Sequence, residues 1–224
     1  MDRFSGMKVH GGLYLITDRK LIPRERFAET VEAAVRGGAS ILQLREKDTP
    51  RDEVIGLGKT LLSITKRYGI PLIINDSPEL AAEIGADGVH LGEGDTGISH
   101  ARSVLGSDAI IGVSCYGKME RGLDALAGGA DYVAFGTPYD TPTKPGRTPT
   151  PFEVLREAAA RIKDIPVFAI GGITAENAAD VLETGVSGIA VITSVFGAAE
   201  PERAARELAD IASAYLEKKR SSQN

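Results

Sequence analysis

Short apolar segments alternate along the chain with longer segments in which apolar residues recur at helical spacing. Several of the short segments are almost continuously apolar, which is typical of parallel strands that are buried on both faces. Strands are predicted at residues 13–18, 40–46, 71–76, 88–92, 110–115, 132–136, 167–172 and 188–193. Helices are predicted at residues 25–36, 51–68, 78–84, 99–105, 118–126, 151–162, 175–183 and 201–218.

Glycine-rich turns precede four of these strands, at residues 37–40, 85–88, 128–131 and 185–188. Glycine tolerates the left-handed conformation that ends a helix, so the turns indicate one repeated β–α unit. Eight units in 224 residues give 224/8 = 28 residues each. The total length is close to the roughly 250-residue norm of a (β/α)8 barrel. An open doubly wound sheet is the alternative, but the first predicted strand is followed by Thr17-Asp18-Arg19-Lys20 and not by a glycine-rich dinucleotide loop.

The sequence therefore predicts an α/β protein that forms a single-domain (β/α)8 TIM barrel over residues 1–224. No composition shift marks a domain boundary, since the Pro- and Thr-rich stretch 137–150 lies between a predicted strand and a predicted helix. Such a long βα loop is expected to be flexible and to bind ligand. The polar tail at residues 218–224 is expected to fray.

Composition and charge indicate which binding partners and which cellular compartment to expect. The formal net charge is −5, with 42% hydrophobic and 25% charged residues, so we expect a folded protein with neither nucleic acid nor a membrane as partner. No apolar run approaches the roughly 20 residues of a membrane helix. The first six residues lack a secretory pattern, and Cys115 is the single cysteine, which favours a reducing cytoplasm and excludes thiolate-rich zinc sites.

The second predicted strand ends in the polar run Gln43-Leu44-Arg45-Glu46-Lys47. Because side chains alternate along a strand, Gln43, Arg45 and Lys47 are expected to point to one side. The chemistry of a barrel belongs at the carboxyl ends of its strands, and an amide beside two cations suits a polar heterocycle and an anion. The alternative is a solvated strand end with ordinary surface charges.

Two aspartates follow the next two strands, Asp76 after the third and Asp95 shortly after the fourth. Adjacent parallel strands end side by side, so the two carboxylates are expected to converge. Together with phosphate oxygens and water they match a Mg2+ site. Taken separately, Asp76 has the alternative of capping the helix that begins at Pro78, for which Ser77 competes, and Asp95 that of an ordinary turn residue.

Hydroxyl groups and glycines follow the later strands. Ser114 can donate a hydrogen bond to a ligand phosphate. Threonines and a lysine on the loop after the sixth strand can bind an anionic group, or they form an ordinary surface turn. Gly171-Gly172 after the seventh strand and Thr193-Ser194 after the eighth match the phosphate site of such barrels.

Two reactive residue types are assigned structural roles. Cys115 has no identifiable base beside it, so a buried inert thiol is expected. His90 lies within an apolar strand between Val89 and Leu91, which favours a hydrogen-bonded structural histidine over a metal ligand.

At these residues the chain resembles the thiamine-phosphate synthases (thiamine-phosphate pyrophosphorylases), from residue 14 to about residue 208. The segments that carry the resemblance occur in family order and are Gln43-Leu44-Arg45-Glu46-Lys47, Asn75-Asp76, Gly88-Val89-His90-Leu91-Gly92 with Asp95, Gly112-Val113-Ser114, Thr141-Pro142-Thr143-Lys144, Ala169-Ile170-Gly171-Gly172-Ile173 and Ala190-Val191-Ile192-Thr193. Each segment is short, but seven in order are highly specific.

The resemblance implies a barrel enzyme that joins two small-molecule substrates in thiamine biosynthesis. One is 4-amino-5-hydroxymethyl-2-methylpyrimidine diphosphate, and the other is a thiazole phosphate in its carboxylated or decarboxylated form. The products are thiamine phosphate and pyrophosphate, with CO2 from the carboxylated substrate.

The resemblance also assigns residues to each group. It implies that Asp76 and Asp95 bind Mg2+ and that Arg45, Lys47, Ser114 and Lys144 are catalytic. The residues that would hold the pyrimidine diphosphate are Gln43, Arg45, Lys47, Asn75, Ser114 and Lys144, with Leu44 and Glu46 in the same binding segment. The residues that would line the thiazole phosphate site are Thr141, Pro142, Thr143, Gly172, Ile192 and Thr193.

Two alternatives remain beside the synthase. The related thiazole tautomerases use a histidine in the loop after the fifth strand, where this chain has Cys115-Tyr116, so the synthase is favoured. A non-catalytic protein that binds a phosphate ligand on the same scaffold is the alternative of a different class, and magnesium-dependent pyrophosphate release would separate the two. The sequence leaves the oligomeric state open, a homo-oligomer included.

Overall fold

The computed structural model describes residues 9–139 and 149–221. Eight parallel strands follow one another in chain order and close into a barrel, with β8 hydrogen-bonded to β1. The strands are β1 (Gly12–Ile16), β2 (Ile41–Leu44), β3 (Leu72–Asn75), β4 (Gly88–Leu91), β5 (Ile110–Tyr116), β6 (Tyr132–Phe135), β7 (Val167–Ile170) and β8 (Gly188–Val191). The predicted barrel is confirmed, although every strand except β5 ends one or two residues earlier than predicted.

Helices cover the outside of the barrel. After a 3-10 turn at Arg24–Arg26 they are α1 (Phe27–Arg36), α2 (Arg51–Tyr68), α3 (Pro78–Ile84), α4 (Ile98–Leu105), α5 (Met119–Ala127), α6 (Phe152–Arg161), α7 (Ala178–Leu182), α8 (Thr193–Phe196) and α9 (Pro201–Ser221). In the described part of the chain, none is both long and apolar enough to cross a membrane.

Two helical features differ from the prediction. The eighth strand was predicted to reach Thr193, but it ends at Val191, and Thr193 instead begins the short helix α8. Helix α9 continues to Ser221, so the frayed tail predicted for residues 218–224 begins inside this helix. Residues 222–224 lie outside the described residues.

The apolar residues form two cores, one between the sheet and the helices and one inside the barrel. Three large rings, Tyr14, Tyr132 and Phe168, fill the centre of the barrel with edge-to-face contacts at centroid distances of 5.5–5.7 Å. Gly112 is required beside them, because a Cβ at this position would lie 2.0 Å from the Tyr132 ring. The barrel interior is therefore a packed core, as its volume demands.

The amino-terminal ends of the strands, here called the lower rim, are tied together in pairs. Asp87 precedes β4 and accepts a hydrogen bond from the Leu72 N–H of β3, at 2.8 Å. Asp131 and Ser187, which precede β6 and β8, accept in the same way from Ile111 of β5 and Val167 of β7. Ser40, before β2, donates to the Leu13 carbonyl of β1.

The glycine turns position these lower-rim side chains. All four predicted turns contain a glycine in the left-handed region, with φ of 112° at Gly38, 75° at Gly85, 82° at Gly129 and 93° at Gly185. Each glycine lies at a helix C-cap or one or two residues after it, and it turns the chain so that the polar residue two positions later meets the neighbouring strand. The four glycine turns are confirmed as helix ends.

Candidate active site

A cavity of about 290 Å³ lies at the carboxyl ends of the strands, here called the upper rim. Most of the side chains that the sequence singled out on β2 to β5 meet there. The predicted residues that line it are Gln43, Arg45, Lys47, Asn75, Asp76, Asp95, Ser114 and Ile192. Ile16, His90, Gly92, Glu93, Tyr116 and Ile170 line it as well.

The alternation predicted for the second strand persists beyond the end of β2. Gln43, Arg45 and Lys47 line the cavity, although the last two lie in the following loop. Leu44 packs in the core between sheet and helices. The Glu46 carboxylate is also buried away from the cavity, and it pairs with Arg24 at 2.6 Å. The side chains of Leu44 and Glu46 therefore support this segment from behind and do not line the cavity.

Arg45 is held by the end of the first strand. Its backbone N–H donates to the Thr17 hydroxyl at 2.9 Å, and its guanidinium lies 3.5 Å from the Asp18 carboxylate. Both side chains of this ion pair are largely buried. Sequence reasoning missed Asp18, which it placed within the first predicted strand, because nothing in the local pattern joins it to a residue 27 positions away.

Asp76 and Asp95 converge as predicted. Ser77 caps α3, since its hydroxyl accepts from the Leu80 N–H at 3.1 Å, so Asp76 is not the cap. Asp76 instead adopts a left-handed backbone conformation with φ of 69°, which is uncommon outside glycine. The Asp95 carboxylate accepts from the Gly92 N–H at 2.6 Å; it closes this turn and also faces the cavity.

The electrostatics of the pair favour a cation. Burial raises the pKa of Asp76, and the hydrogen bond and negative charge of Asp95 raise it further, while Lys47 and Arg45 oppose the shift. Across residues 9–139 and 149–221, no three His, Cys, Asp or Glu side chains form a metal-binding group. A divalent ion here would thus need oxygen ligands from a substrate or water in addition to the two carboxylates.

Arg121 of α5 joins the ends of β4 and β5. Its Nε donates to the Ser114 carbonyl at 2.6 Å, and its Nη2 donates to the Gly92 carbonyl at 2.7 Å. These bonds fix the backbone on either side of the cavity, next to the hydroxyl of Ser114. The sequence analysis missed Arg121, which reads as an ordinary polar residue on an amphipathic helix.

Cys115 and His90 differ in how far the structure matches their predicted roles. Cys115 is buried, and burial raises the pKa of its thiol to about 12, as expected of an unreactive cysteine. His90 is hydrogen-bonded, with Nδ1 3.0 Å from the Tyr132 hydroxyl. It also lines the cavity, because the carboxyl end of β4 opens there, and the sequence analysis did not expect this.

The glycine pair after β7 and the residues after β8 meet as predicted. Gly171 and Gly172 have φ values of 115° and 66°, and a Cβ on Gly171 would lie 1.7 Å from the Thr137 hydroxyl. The Ser194 hydroxyl of α8 donates to the Ile173 carbonyl and joins this helix to the loop after β7. Thr193 lines a second cavity of about 320 Å³, which shares Arg45 and Lys47 with the first.

Four predicted site residues, Thr141, Pro142, Thr143 and Lys144, lie outside the described residues. The two ends of their loop meet, since the Thr150 N–H donates to the Thr137 carbonyl at 2.5 Å.

Comparison with known proteins places these observations in one family. A family model described as thiamine monophosphate synthase matches residues 13–195. The chain is 48% identical to a thiamine-phosphate synthase of Methylococcus capsulatus, over 89% of this chain and 88% of that protein. It is 44% identical to another from Marinobacter nauticus, over 85% of each chain. The solved thiamine phosphate pyrophosphorylase of Pyrococcus furiosus superposes with a TM-score of 0.83 at 40% identity, covering 92% of this chain and 96% of that one. The chain therefore belongs to the thiamine monophosphate synthase family and is a transferase.

Proposed function

We propose that this transferase couples 4-amino-5-hydroxymethyl-2-methylpyrimidine diphosphate to a thiazole phosphate, in carboxylated or decarboxylated form, with Mg2+ as cofactor. The observation that carries the proposal is the upper-rim cavity, in which Asp76 and Asp95 share space with Arg45 and Lys47. This combination suits a diphosphate–metal complex, whose anionic oxygens need cations and whose metal needs carboxylates.

The two aspartates fit a magnesium ion. Burial raises the pKa of Asp76, and the neighbouring Asp95 carboxylate raises it further. A bound cation would favour the charged form of both carboxylates and so offset these effects. When bound, Mg2+ would neutralise negative charge on the diphosphate and so make it a better leaving group. Asp76 and Asp95 would hold the ion, and the remaining ligands would come from substrate and water.

The cationic side chains act where charge develops. As the bond between the pyrimidine methylene carbon and the diphosphate oxygen breaks, the electron pair leaves with the diphosphate. Arg45 and Lys47, with Lys144 from the loop, stabilise this growing negative charge, and Ser114 donates a hydrogen bond to a phosphate oxygen. Gln43 and Asn75 bind the pyrimidine ring.

Formation of the new bond requires that the thiazole be positioned near the pyrimidine, and it requires no protein nucleophile. The aminopyrimidine ring delocalises the positive charge left on its methylene carbon, and the thiazole nitrogen then donates its electron pair to form the new carbon–nitrogen bond. Gly172, Ile192 and Thr193, with Thr141, Pro142 and Thr143, hold the thiazole phosphate near that carbon, which supplies the proximity that the step requires. The inert Cys115 is consistent with this scheme.

The alternatives have weaker support. A tautomerase of this family uses a histidine after the fifth strand, but Cys115 in this region lies within β5. Its thiol is buried, and burial raises its pKa to about 12. A non-catalytic phosphate binder has no need of two adjacent carboxylates beside its cations.

The decisive experiment incubates the protein with both substrates and Mg2+ and detects thiamine phosphate and pyrophosphate by mass. We expect both products, and neither when Mg2+ is removed by a chelator. Asp76→Ala and Lys144→Ala should abolish turnover without unfolding the protein. The exposed residues Asp210 and Lys66 provide matched controls, since alanine there should leave turnover unchanged. Wild-type rates in both site variants would contradict these assignments.

A further inference from the structure

A chain of hydrogen bonds crosses the centre of the barrel directly below the cavity. The Gln43 Nε2 donates to the Tyr14 hydroxyl at 2.6 Å, and the hydroxyls of Tyr14 and Tyr132 lie 2.7 Å apart. The Tyr132 hydroxyl in turn lies 3.0 Å from His90 Nδ1. Gln43, Tyr14 and Tyr132 are at most 2% exposed, so water does not compete for these bonds. The chain thus links two residues of the cavity wall, Gln43 and His90.

The donor directions along these hydrogen bonds follow from the Gln43 donor and from the need of every buried proton for an acceptor. Burial raises the pKa of both tyrosines well above the usual value, so each hydroxyl keeps its single proton. The Tyr14 oxygen accepts from Gln43, and Tyr132 is the other hydrogen-bond partner of this hydroxyl among the described residues, so the Tyr14 proton goes to Tyr132. The proton of Tyr132 then goes to His90 Nδ1, which has to be an unprotonated acceptor. A neutral His90 consequently carries its ring proton on Nε2.

The direction of these hydrogen bonds also fixes the orientation of the Gln43 carboxamide. Its nitrogen faces Tyr14, so its oxygen is left on the side of the cavity that Gln43 lines. If the amide turned over, its oxygen would need a proton from Tyr14, and both tyrosine hydroxyls and the His90 tautomer would have to reverse as well. The orientation of the amide and the tautomer of the imidazole are therefore set together.

We propose that Tyr14, Tyr132 and His90 are positioning residues that hold the Gln43 carboxamide oxygen toward the cavity and so make the site select an aminopyrimidine over an oxopyrimidine. The inference rests on the proposed function. An exocyclic amino group donates to a carboxamide oxygen, whereas an oxo group at the same position would place two acceptors against each other. Selection follows from this mismatch and needs no change in the shape of the cavity.

The first test determines the His90 tautomer, and with it the direction of the hydrogen bonds, without any substrate. Ring-nitrogen NMR of the 15N-histidine-labelled protein should show His90 as the neutral Nε2–H tautomer, assigned by the signal that His90→Gln removes. Tyr132→Phe removes the donor to Nδ1 and should shift the ring toward a mixture of tautomers. An Nδ1–H or doubly protonated ring in the wild-type protein would overturn the proposal.

The second test measures selectivity. Calorimetry with Mg2+ compares binding of the aminopyrimidine diphosphate and of its 4-oxo analogue to the wild type and to each variant. In Tyr14→Phe the preference for the amino compound should fall about tenfold, as expected when one net hydrogen bond no longer discriminates. In Tyr132→Phe, one bond further from Gln43, the fall should be smaller. Binding of the thiazole phosphate should stay unchanged in both.

Phe168→Leu is the matched control. The Phe168 ring contacts Tyr14 and Tyr132 at 5.5 and 5.7 Å but has no polar atom, so its loss should lower stability and leave the preference unchanged. An unaltered preference in Tyr14→Phe, or an equal loss in Phe168→Leu, would refute the positioning role. Wild-type protein that binds neither pyrimidine would overturn the proposed function and the selectivity with it, while the NMR result would still decide whether the chain orients His90.

Discussion

The two rims of the barrel are built from similar residue types and differ in how their charges are balanced. At the lower rim, Arg102 donates to the carbonyls of residues 107, 109 and 129 and pairs with Asp131 at 2.6 Å. At the upper rim, the one ion pair of Arg45 among the described residues is the 3.5 Å contact with Asp18. Arg102 directs four hydrogen bonds to protein acceptors through its two terminal nitrogens, whereas Arg45 retains donors for an anion.

The carboxylates repeat this contrast. Asp131 and Asp87 accept backbone N–H groups of the adjacent strand at 2.8 Å. Asp76, in contrast, lies beside the Asp95 carboxylate. Its own backbone is left-handed, and its pKa is raised. The lower rim therefore contributes stability, whereas the upper rim, under the proposed function, keeps charged groups available for ligands, the division expected of a barrel enzyme.

The largest expected effect comes from Asp76→Asn. Loss of this carboxylate should lower kcat about 10²- to 10³-fold, the usual cost of removing one group that stabilises transition-state charge. Asparagine tolerates the left-handed backbone and removes a buried charge, so the melting temperature should not fall. Steady-state kinetics with Mg2+ and thermal denaturation measure the two effects. A fall in stability that accounts for the lost activity would contradict the division between the rims.

Asp131→Ala is the counterpart at the lower rim. It leaves the Ile111 N–H without its acceptor and Arg102 without its ion-pair partner, and such a loss should cost about 1–3 kcal/mol in the free energy of unfolding. Urea denaturation gives this value, and kcat of the folded enzyme should be unchanged. Asp87→Ala removes the same kind of acceptor from Leu72 and serves as a replicate at a second site.

Arg121→Lys tests a residue that supports the upper rim from outside the cavity. Lysine cannot reproduce the paired bonds to the Ser114 and Gly92 carbonyls, so the backbone beside the site should loosen. We expect kcat to fall about tenfold, since small displacements of positioned groups are costly in catalysis. Arg102→Lys is the control, because it should lower stability and leave kcat unchanged. Equal falls in kcat in Arg121→Lys and Arg102→Lys would contradict the functional difference between the two rims.

The smallest effect is a pH dependence of stability from Asp76. Its pKa in the folded protein is raised above the ordinary 3.8, so the folded state binds more protons than the unfolded state between these two values. The unfolding free energy of the wild type, relative to Asp76→Asn, should therefore fall as pH rises through this window and then level off. Denaturation curves at a series of acidic pH values measure the difference, and a relative stability that rises with pH would have the wrong sign.

The fold was predictable from the sequence because its signals are local. Continuous apolar strands, amphipathic helices and left-handed glycines each follow from a few neighbouring residues, and the structure confirms all eight strands. The convergence of Asp76 and Asp95 was also predictable, since adjacent parallel strands end side by side. Seven family segments in order supplied the chemical identity.

The supporting contacts were not predictable because they join residues far apart in the chain. Asp18 meets Arg45, Arg121 reaches the Gly92 carbonyl, and Tyr132 meets Tyr14 across the barrel. No periodicity in the sequence encodes such pairs. The extra helix at Thr193 was missed for a different reason, because Thr193 was assigned to the preceding strand and four residues are too few to show a helical period.

The ties of the lower rim fall on alternate neighbours, joining β1 to β2, β3 to β4, β5 to β6 and β7 to β8. The residues before β3 and β7 are Pro71 and Pro166, which have no polar side chain to form such a tie. These side-chain ties thus group the eight strands of the continuous sheet into four pairs. A break in the chain between β4 and β5 would leave every one of these ties inside one half or the other, which makes that junction the natural place to divide the molecule or to open new termini.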